Sequence, residues 1–248
     1  MNNGFYSGTS GINLPVPNKL SYPLEFQDKS RLTYYSSLFN SIEINSSFYK
    51  VPMLSTVKKW VESVPEDFQF TFKLWKEISH SKLLLFEEQD VERFMNVIAH
   101  TGLKKGCLLV QFPPGLSSES MDQLETLLKN IRLHDPDCLW KIAVEFRNES
   151  WYQEQCYDLI NAYQAAVVLH DKKQAGIFIS DDHADFVYLR FHGINGDYRG
   201  DYPDEVMYEY SQYIKDWLSE GKMVYAYFNN TAGNAVNNLI TLNSYVQA

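Results

Sequence analysis

The amino-acid sequence predicts a parallel α/β fold, a single (β/α)8 barrel of the TIM type, on three observations. Eight short runs alternate in the manner of strands, most are separated by one helix-like segment, and the charges of several runs fall at their carboxyl ends in one phase. Strands that alternate with helices pair in parallel βαβ units, and eight such units in about 250 residues fill a closed barrel. The alternative is an open doubly wound sheet, but no strand-like run is followed by the GxGxxG turn that would favour it.

The first run, FYSGTS (5–10), leads into an irregular stretch over 13–29 and then a stripe of Leu32, Tyr35, Leu38 and Phe39. SIEIN (41–45) precedes Val57, Trp60, Val61 and Val64; FQFTFK (68–73) precedes Val91, Phe94, Met95 and Ile98. CLLVQF (107–112) precedes Met121, Leu124, Leu128 and Ile131; KIAVEFR (141–147) precedes Tyr152, Cys156, Leu159, Ile160 and Tyr163. After AVVLHD (166–171) no helical pattern appears before 186, so one irregular βα unit, a loop or a single turn, is expected between strands 6 and 7. FVYLRFH (186–192) precedes Tyr210, Ile214, Trp217 and Leu218, and VYAYFNN (224–230) precedes Ala232, Ala235, Val236 and Leu239. Spacing of i, i+3, i+4 gives each helix one buried stripe. Ser55, Ser118 and Asn148 stand where helix N-caps are wanted. No composition break marks a linker, so residues 1–248 read as one domain.

Composition narrows the function classes. Hydrophobic content of 45% supplies a globular core, yet no apolar stretch nears the roughly 20 residues that span a bilayer. The start, MNNGFYSGTSG, has neither the basic nor the apolar region of a secretory signal. Cys107, Cys138 and Cys156 are odd in number and widely spaced, which points to a reducing, cytoplasmic setting and away from a zinc site. A net charge of −9 argues against broad attraction to nucleic acid but leaves room for a local cationic pocket.

Side chains alternate faces along a strand, so the apolar set must meet the helices and the polar set must point into the barrel or out of its mouth. The inward set is Glu43 and Asn45, Lys73, Gln111, Glu145 and Arg147, Arg190 and His192, with Tyr225, Tyr227 and Asn229 from the last strand. His170 or Asp171 joins from the sixth, and Ser7 with Thr9, or else Ser10, from the first. Buried charges are costly unless they meet one another or a ligand. A purely structural network is the bland alternative; the clustering at one end of the strands favours a site. Glu43, Glu145 and Asp171 suit acid/base roles, while Lys73, Arg147 and Arg190 suit an anion clamp. His192, expected to titrate near neutrality, suits a proton carrier.

Gly193, Gly196 and Gly200, with Asn229-Asn230-Thr231, make the loops after strands 7 and 8 a phosphate-site hypothesis, against ordinary loop glycines and an N-cap. Glu43, Glu145, His170, Asp171 and His192 include metal-ligand types, but three interleaved cations disfavour a divalent metal, and no cofactor is implied. His80 follows the third strand and is a weak candidate; His100, His134 and His183 read as surface residues. No GxSxG elbow supports a nucleophilic triad. Tyr49, Trp75, Trp151 and Tyr198 could stack on bases, although most aromatics fall in core stripes.

Several motifs together resemble the YecE-like family, domain of unknown function 72. They are GTSG (8–11), SIEINSSFYKVP (41–52), FTFKLWKEISH (70–80), VQFPPGL (110–116), VEFRNESW (144–151), VVLHD (167–171), YLRFHGINGDYRGDY (188–202) and YAYFNNTAGNAV (225–236). The resemblance spans the chain and implies a TIM-type barrel but no activity. It carries polar positions onto Glu43, Asn45, Tyr49, Lys73, His80, Glu145, Arg147, Asp171, Arg190, His192, Gly193, Tyr202 and Asn229. Where the family often has an aromatic after GTSG, this chain has Ile12-Asn13.

The expectation is an acid/base enzyme, of hydrolase or isomerase type, acting on a small anionic, hydroxylated substrate. Glu43, Glu145, Asp171 and His192 would be catalytic. Lys73, Arg147, Arg190, Asn45, Tyr49, Gly193, Tyr202 and Asn229 would bind substrate. The rivals are a nuclease-like or nucleic-acid-binding barrel and a non-enzymatic module that binds a ligand or partner. The last predicts carboxylates paired off by cations.

Overall fold

Alternation along the strands divides the apolar residues into two cores. One holds Ile42, Ile44, Phe70, Phe72, Ile142, Val144, Leu189 and Phe191 together with the helical stripes. The other, of opposite phase, holds Cys107, Leu109, Ala143, Ala166, Val168, Phe186, Tyr188, Tyr225 and Tyr227. Each fully buried large side chain contributes roughly 1.5–3 kcal/mol relative to exposure.

The computed structural model describes residues 4–171 and 184–248. Its strands are β1 (Phe5–Thr9), β2 (Ser41–Ile44), β3 (Gln69–Lys73), β4 (Lys105–Gln111), β5 (Lys141–Glu145), β6 (Ala165–Val167), β7 (Leu169–His170), β8 (Phe186–Phe191) and β9 (Met223–Phe228). All pair in parallel, in two sheets of order β1-β9-β8-β7 and β2-β3-β4-β5-β6. The sixth predicted strand is therefore two. Its first half pairs with β5 and its second with β8, and between them the Val168 amide donates to Val144 O at 2.9 Å.

The other meeting of the sheets is made largely by side chains. A lone parallel bridge pairs Ser10 with Glu43, and the Gly11 amide donates to Glu43 O at 2.8 Å. Asn40 accepts from Ser7 N at 2.9 Å and donates to Phe5 O at 2.8 Å, as a neighbouring strand would. The Tyr35 hydroxyl accepts from Thr9 N at 2.7 Å and donates to Ser41 O at 3.1 Å. Gly8 is obligatory there, since a Cβ would sit 2.1 Å from Ser41 O.

The helices are α1 (Arg31–Leu38), α2 (Ser46–Tyr49), α3 (Leu54–Glu62), α4 (Lys76–Ser79), α5 (Glu88–Ile98), α6 (Met121–Leu133), α7 (Glu154–Ala162), α8 (Asp204–Ser219) and α9 (Ala235–Gln247). The seven longer ones match the predicted stripes; α2 and α4 are single turns. Asn148 caps a 3-10 turn by accepting from Ser150 N at 3.1 Å. Ser55 and Ser118 cap nothing, because each lies inside its helical turn. The irregular unit expected after strand 6 falls mostly outside the described residues, as does His183. No helix among the described residues is long and apolar enough to cross a membrane.

Candidate functional site

Tyr188, Arg190 and His192 share the inward phase of β8 and its carboxyl end, and they organise the charges. Arg190 grips Glu43 with two donors, Nε to Oε2 at 3.0 Å and Nη2 to Oε1 at 2.8 Å. Its Nη1 donates to Glu145 Oε2 at 2.9 Å and to His192 Nε2 at 3.1 Å. Glu43 also accepts from the Tyr188 hydroxyl at 2.6 Å and from Ser10 Oγ. Four donors thus converge on one carboxylate that is 0% exposed. Burial would raise its pKa, but Arg190 overrides that and holds it below the usual range. Glu145, also fully buried, lies well below its usual range: burial opposes, and Arg190 and Arg147 win. Its Oε1 meets Arg147 Nη2 in an ion contact rather than a directed hydrogen bond.

His192 is neutral for a geometric reason. Its Nε2 faces two guanidinium donors, Arg190 Nη1 at 3.1 Å and Arg147 Nη2 at 2.9 Å, so that nitrogen must accept. The proton then lies on Nδ1, 3.3 Å from Asp171 Oδ1. Burial pushes the pKa down to about 4, with Glu145 and Asp171 only partly opposing. The expected titration near neutrality is not met, because the ring is 0% exposed and its Nε2 accepts from two guanidinium groups, although Glu145 Oε1 lies 3.5 Å away. Asp171 also accepts from the His192 amide at 2.9 Å and from the Tyr202 hydroxyl. Tyr202 in turn accepts from Gly193 N at 2.6 Å. Gly193 is needed at φ 96, where a Cβ would strike Arg199 O at 2.2 Å.

Lys73, the last residue of β3, is different. Its Nζ lies 4.1 Å from the centroid of the Phe48 ring, with no hydrogen bond or ion pair to a carboxylate among the described residues. Burial, then Arg190, lower its pKa to about 8, against the pull of Glu145 and Glu43. His80 stacks edge-on against the same ring, centroids 4.9 Å apart, with Nδ1 3.0 Å from Ser79 Oγ. Burial, then the Lys73 charge, lower it to about 4. Asn45 follows β2, and its buried Oδ1 has no partner among the described residues. Tyr49 is 69% exposed, and Asn229, after β9, is buried.

The inward set is thus largely brought together, with sharper assignments. Ser10, not Ser7 or Thr9, serves the site; Ser7 turns outward to Asn243 and Thr9 to Tyr35. Both His170 and Asp171 join the cluster, Asp171 through the His192 amide and His170 edge-on to the His192 ring with its Nε2 3.1 Å from Phe146 O. Tyr188 and Phe48 were missed: Tyr188 shares the phase of Arg190 two residues on, whereas Phe48 sits in a turn with no periodic signal. The loops after predicted strands 7 and 8 bond to each other. The amides of Ala232 and Asn234 donate to Tyr198 O and Gly200 O at 3.2 and 3.0 Å, and the helix starts at Ala235, not Ala232. Among the described residues no three His, Cys, Asp or Glu side chains form a metal-holding group.

The fold and sequence have relatives. The family model "Protein of unknown function DUF72" matches residues 6–248. The UPF0759 protein YunF of Bacillus subtilis is 25% identical over 247 residues, covering 86% of this chain and 84% of that protein. The UPF0759 protein YecE of Escherichia coli K12 is 27% identical over 100 residues, covering 40% of this chain and 37% of that protein. A DUF72 structure from Enterococcus faecalis superposes with a TM-score of 0.78 at 23% identity, over 98% of each chain. AP endonuclease, family 2, from Brucella melitensis superposes at 0.54 and 13% identity, over 93% of this chain and 96% of that one, a likeness of fold alone. With the model match spanning residues 6–248, nearly its whole length, the chain belongs to the DUF72 family.

Proposed function

We propose that the two sheets close as one eight-stranded (β/α)8 barrel in a single domain. On this reading, the mouth at its carboxyl end binds a small anionic, hydroxylated molecule, and the protein is a cytoplasmic acid/base enzyme. Closure is supported by the two junctions: the Ser10–Glu43 bridge with its Asn40 and Tyr35 links, and the strand shared by β5 and β8.

The anion reading is carried by Arg147. Its Nε is buried without a partner among the described residues, while Nη2 is held on Glu145 and His192. Buried donors rarely go unpaired, and a carboxylate or phosphate on the substrate supplies the acceptor. Asn45, Tyr49, Gly193, Tyr202 and Asn229 line the approach in this reading. Glu43 and Glu145 are held as carboxylates by their guanidinium partners, so proton exchange near neutral pH falls to Lys73, with Asp171 orienting His192. Inorganic phosphate and glycolate should each raise the melting temperature of the wild type. Arg147→Gln should lose that rise, and no shift from either anion removes the reading.

The second reading, a binding module without turnover, draws on the pairing of Glu43 and Glu145 with arginines. It predicts the same thermal shifts and an unreactive Lys73. A nuclease-like reading has only the fold likeness behind it.

A further inference from the structure

We propose that Lys73 is an amine nucleophile that condenses with the carbonyl carbon of a small oxo acid or oxo phosphate whose anionic end rests on Arg147. This rests on the anion reading above and names the substrate class.

The geometry first separates Lys73 from the other cations of the mouth. Arg190 and Arg147 are both ion-paired, whereas Lys73 lies over the Phe48 face with no carboxylate of the described residues bonded to it. An ammonium above a ring is held mainly by the ring quadrupole, and such a group gives up its proton more readily than one in an ion pair. Burial and then Arg190 oppose its charge, with Arg147 adding less, while Glu145 and Glu43 favour it. Burial next to cationic neighbours is the environment that activates lysine amines towards carbonyls.

The second element is reach. Lys73 ends β3 and Arg147 lies two residues beyond β5, with β4 between them. Strands two positions apart are separated by about 10 Å. A short oxo acid held between two long side chains bridges a span of that order. The third element is a neutral imidazole: His80 shares the Phe48 ring with Lys73, and its Nδ1 is engaged by Ser79.

The step balances without an oxidant. The neutral amine adds to the carbonyl carbon, a C–N bond forms, and the carbonyl oxygen takes a proton to give a carbinolamine. Loss of the hydroxyl with the remaining N–H proton yields an imine and water. His80 is placed to carry protons between nitrogen and oxygen.

Glyoxylate with cyanoborohydride traps such an imine as a carboxymethyl group, which peptide mass spectrometry assigns to individual lysines. In the wild type near pH 7.5, Lys73 should be modified on the order of tenfold faster than the exposed Lys58. Arg147→Gln should slow glyoxylate at Lys73 more than it slows formaldehyde there, because formaldehyde has no anionic end to lose and feels only the change in the amine's charge balance. A Lys73 no more reactive than Lys58 in the wild type overturns the proposal. If phosphate still gives its Arg147-dependent thermal shift in that case, the amine step alone falls; if it gives none, the anion site falls with it.

Discussion

Arg190 has each of its charge-bearing contacts with a different role. Nε and Nη2 make the two-pronged grip on Glu43, while Nη1 joins Glu145 and His192. No lysine could span these acceptors, because only a planar guanidinium presents donors in a fixed fork. The network is not in itself a source of large stability, since desolvation of buried ions nearly cancels their attraction. Its asymmetry is what matters: removing the one cation shared by two buried carboxylates strips Glu43 of its ion pair and leaves Glu145 with Arg147 alone. Arg190→Met is therefore expected to destabilise the fold by about 3–5 kcal/mol in urea unfolding. Adding Glu43→Gln to that variant should restore part of the loss, since the site then buries one charge fewer. A cost below about 1 kcal/mol for Arg190→Met would show that the cluster is solvated.

Elements place these residues through face alternation, and that much is local enough to read from the chain. The apolar phase of SIEIN, FQFTFK and FVYLRFH fixed which side chains meet the helices, and both cores follow it. Partner choice was not legible. Whether Glu43 meets Arg190 or Lys73 depends on how β2 and β8 are set across the interior, and no periodicity carries that information. The turn α2, which supplies Phe48, spans four residues, too few for a helical period to register. The division of the sixth strand likewise depends on two different neighbours. The β1–β2 junction shows how much rests on single positions. It has one ladder bridge, and Gly8 permits the approach. Gly8→Ala would drive a methyl into the Ser41 carbonyl and should cost about 3 kcal/mol or more, read as a lower urea midpoint. Stability unchanged within about 0.5 kcal/mol would mean that the strands are free to part there.

At the scale of the whole molecule, the buried histidines set the acid limit of stability. His192 and His80 are held neutral down to about 4, and burial lowers His170 as well. In the unfolded chain each takes up a proton near pH 6.5. Between those values the unfolded state binds more protons than the native one, so stability rises with pH through this window and is lost as pH falls. For His192, faced by Glu145 and Asp171 on one side of the balance and Arg190 and Arg147 on the other, the loss at pH 5 is about 2 kcal/mol. His80 is partly exposed, and its share is smaller. Glu43 and Glu145, with lowered pKa values, act in a separate and more acidic window. Their contribution is complete above the unfolded carboxylate range and disappears only as pH falls through their native values. The repulsion from a net charge of −9 relaxes as the pH approaches the isoelectric point near 5.2 and works the other way. Salt at about 0.15 M screens most of that surface effect but not the buried one. Urea unfolding in such salt should therefore show stability falling by about 2–3 kcal/mol between pH 7 and pH 5, and His192→Gln should remove most of that slope. A flat profile over this range would mean that His192 gains its proton in the folded protein, which the two guanidinium groups at its Nε2 oppose.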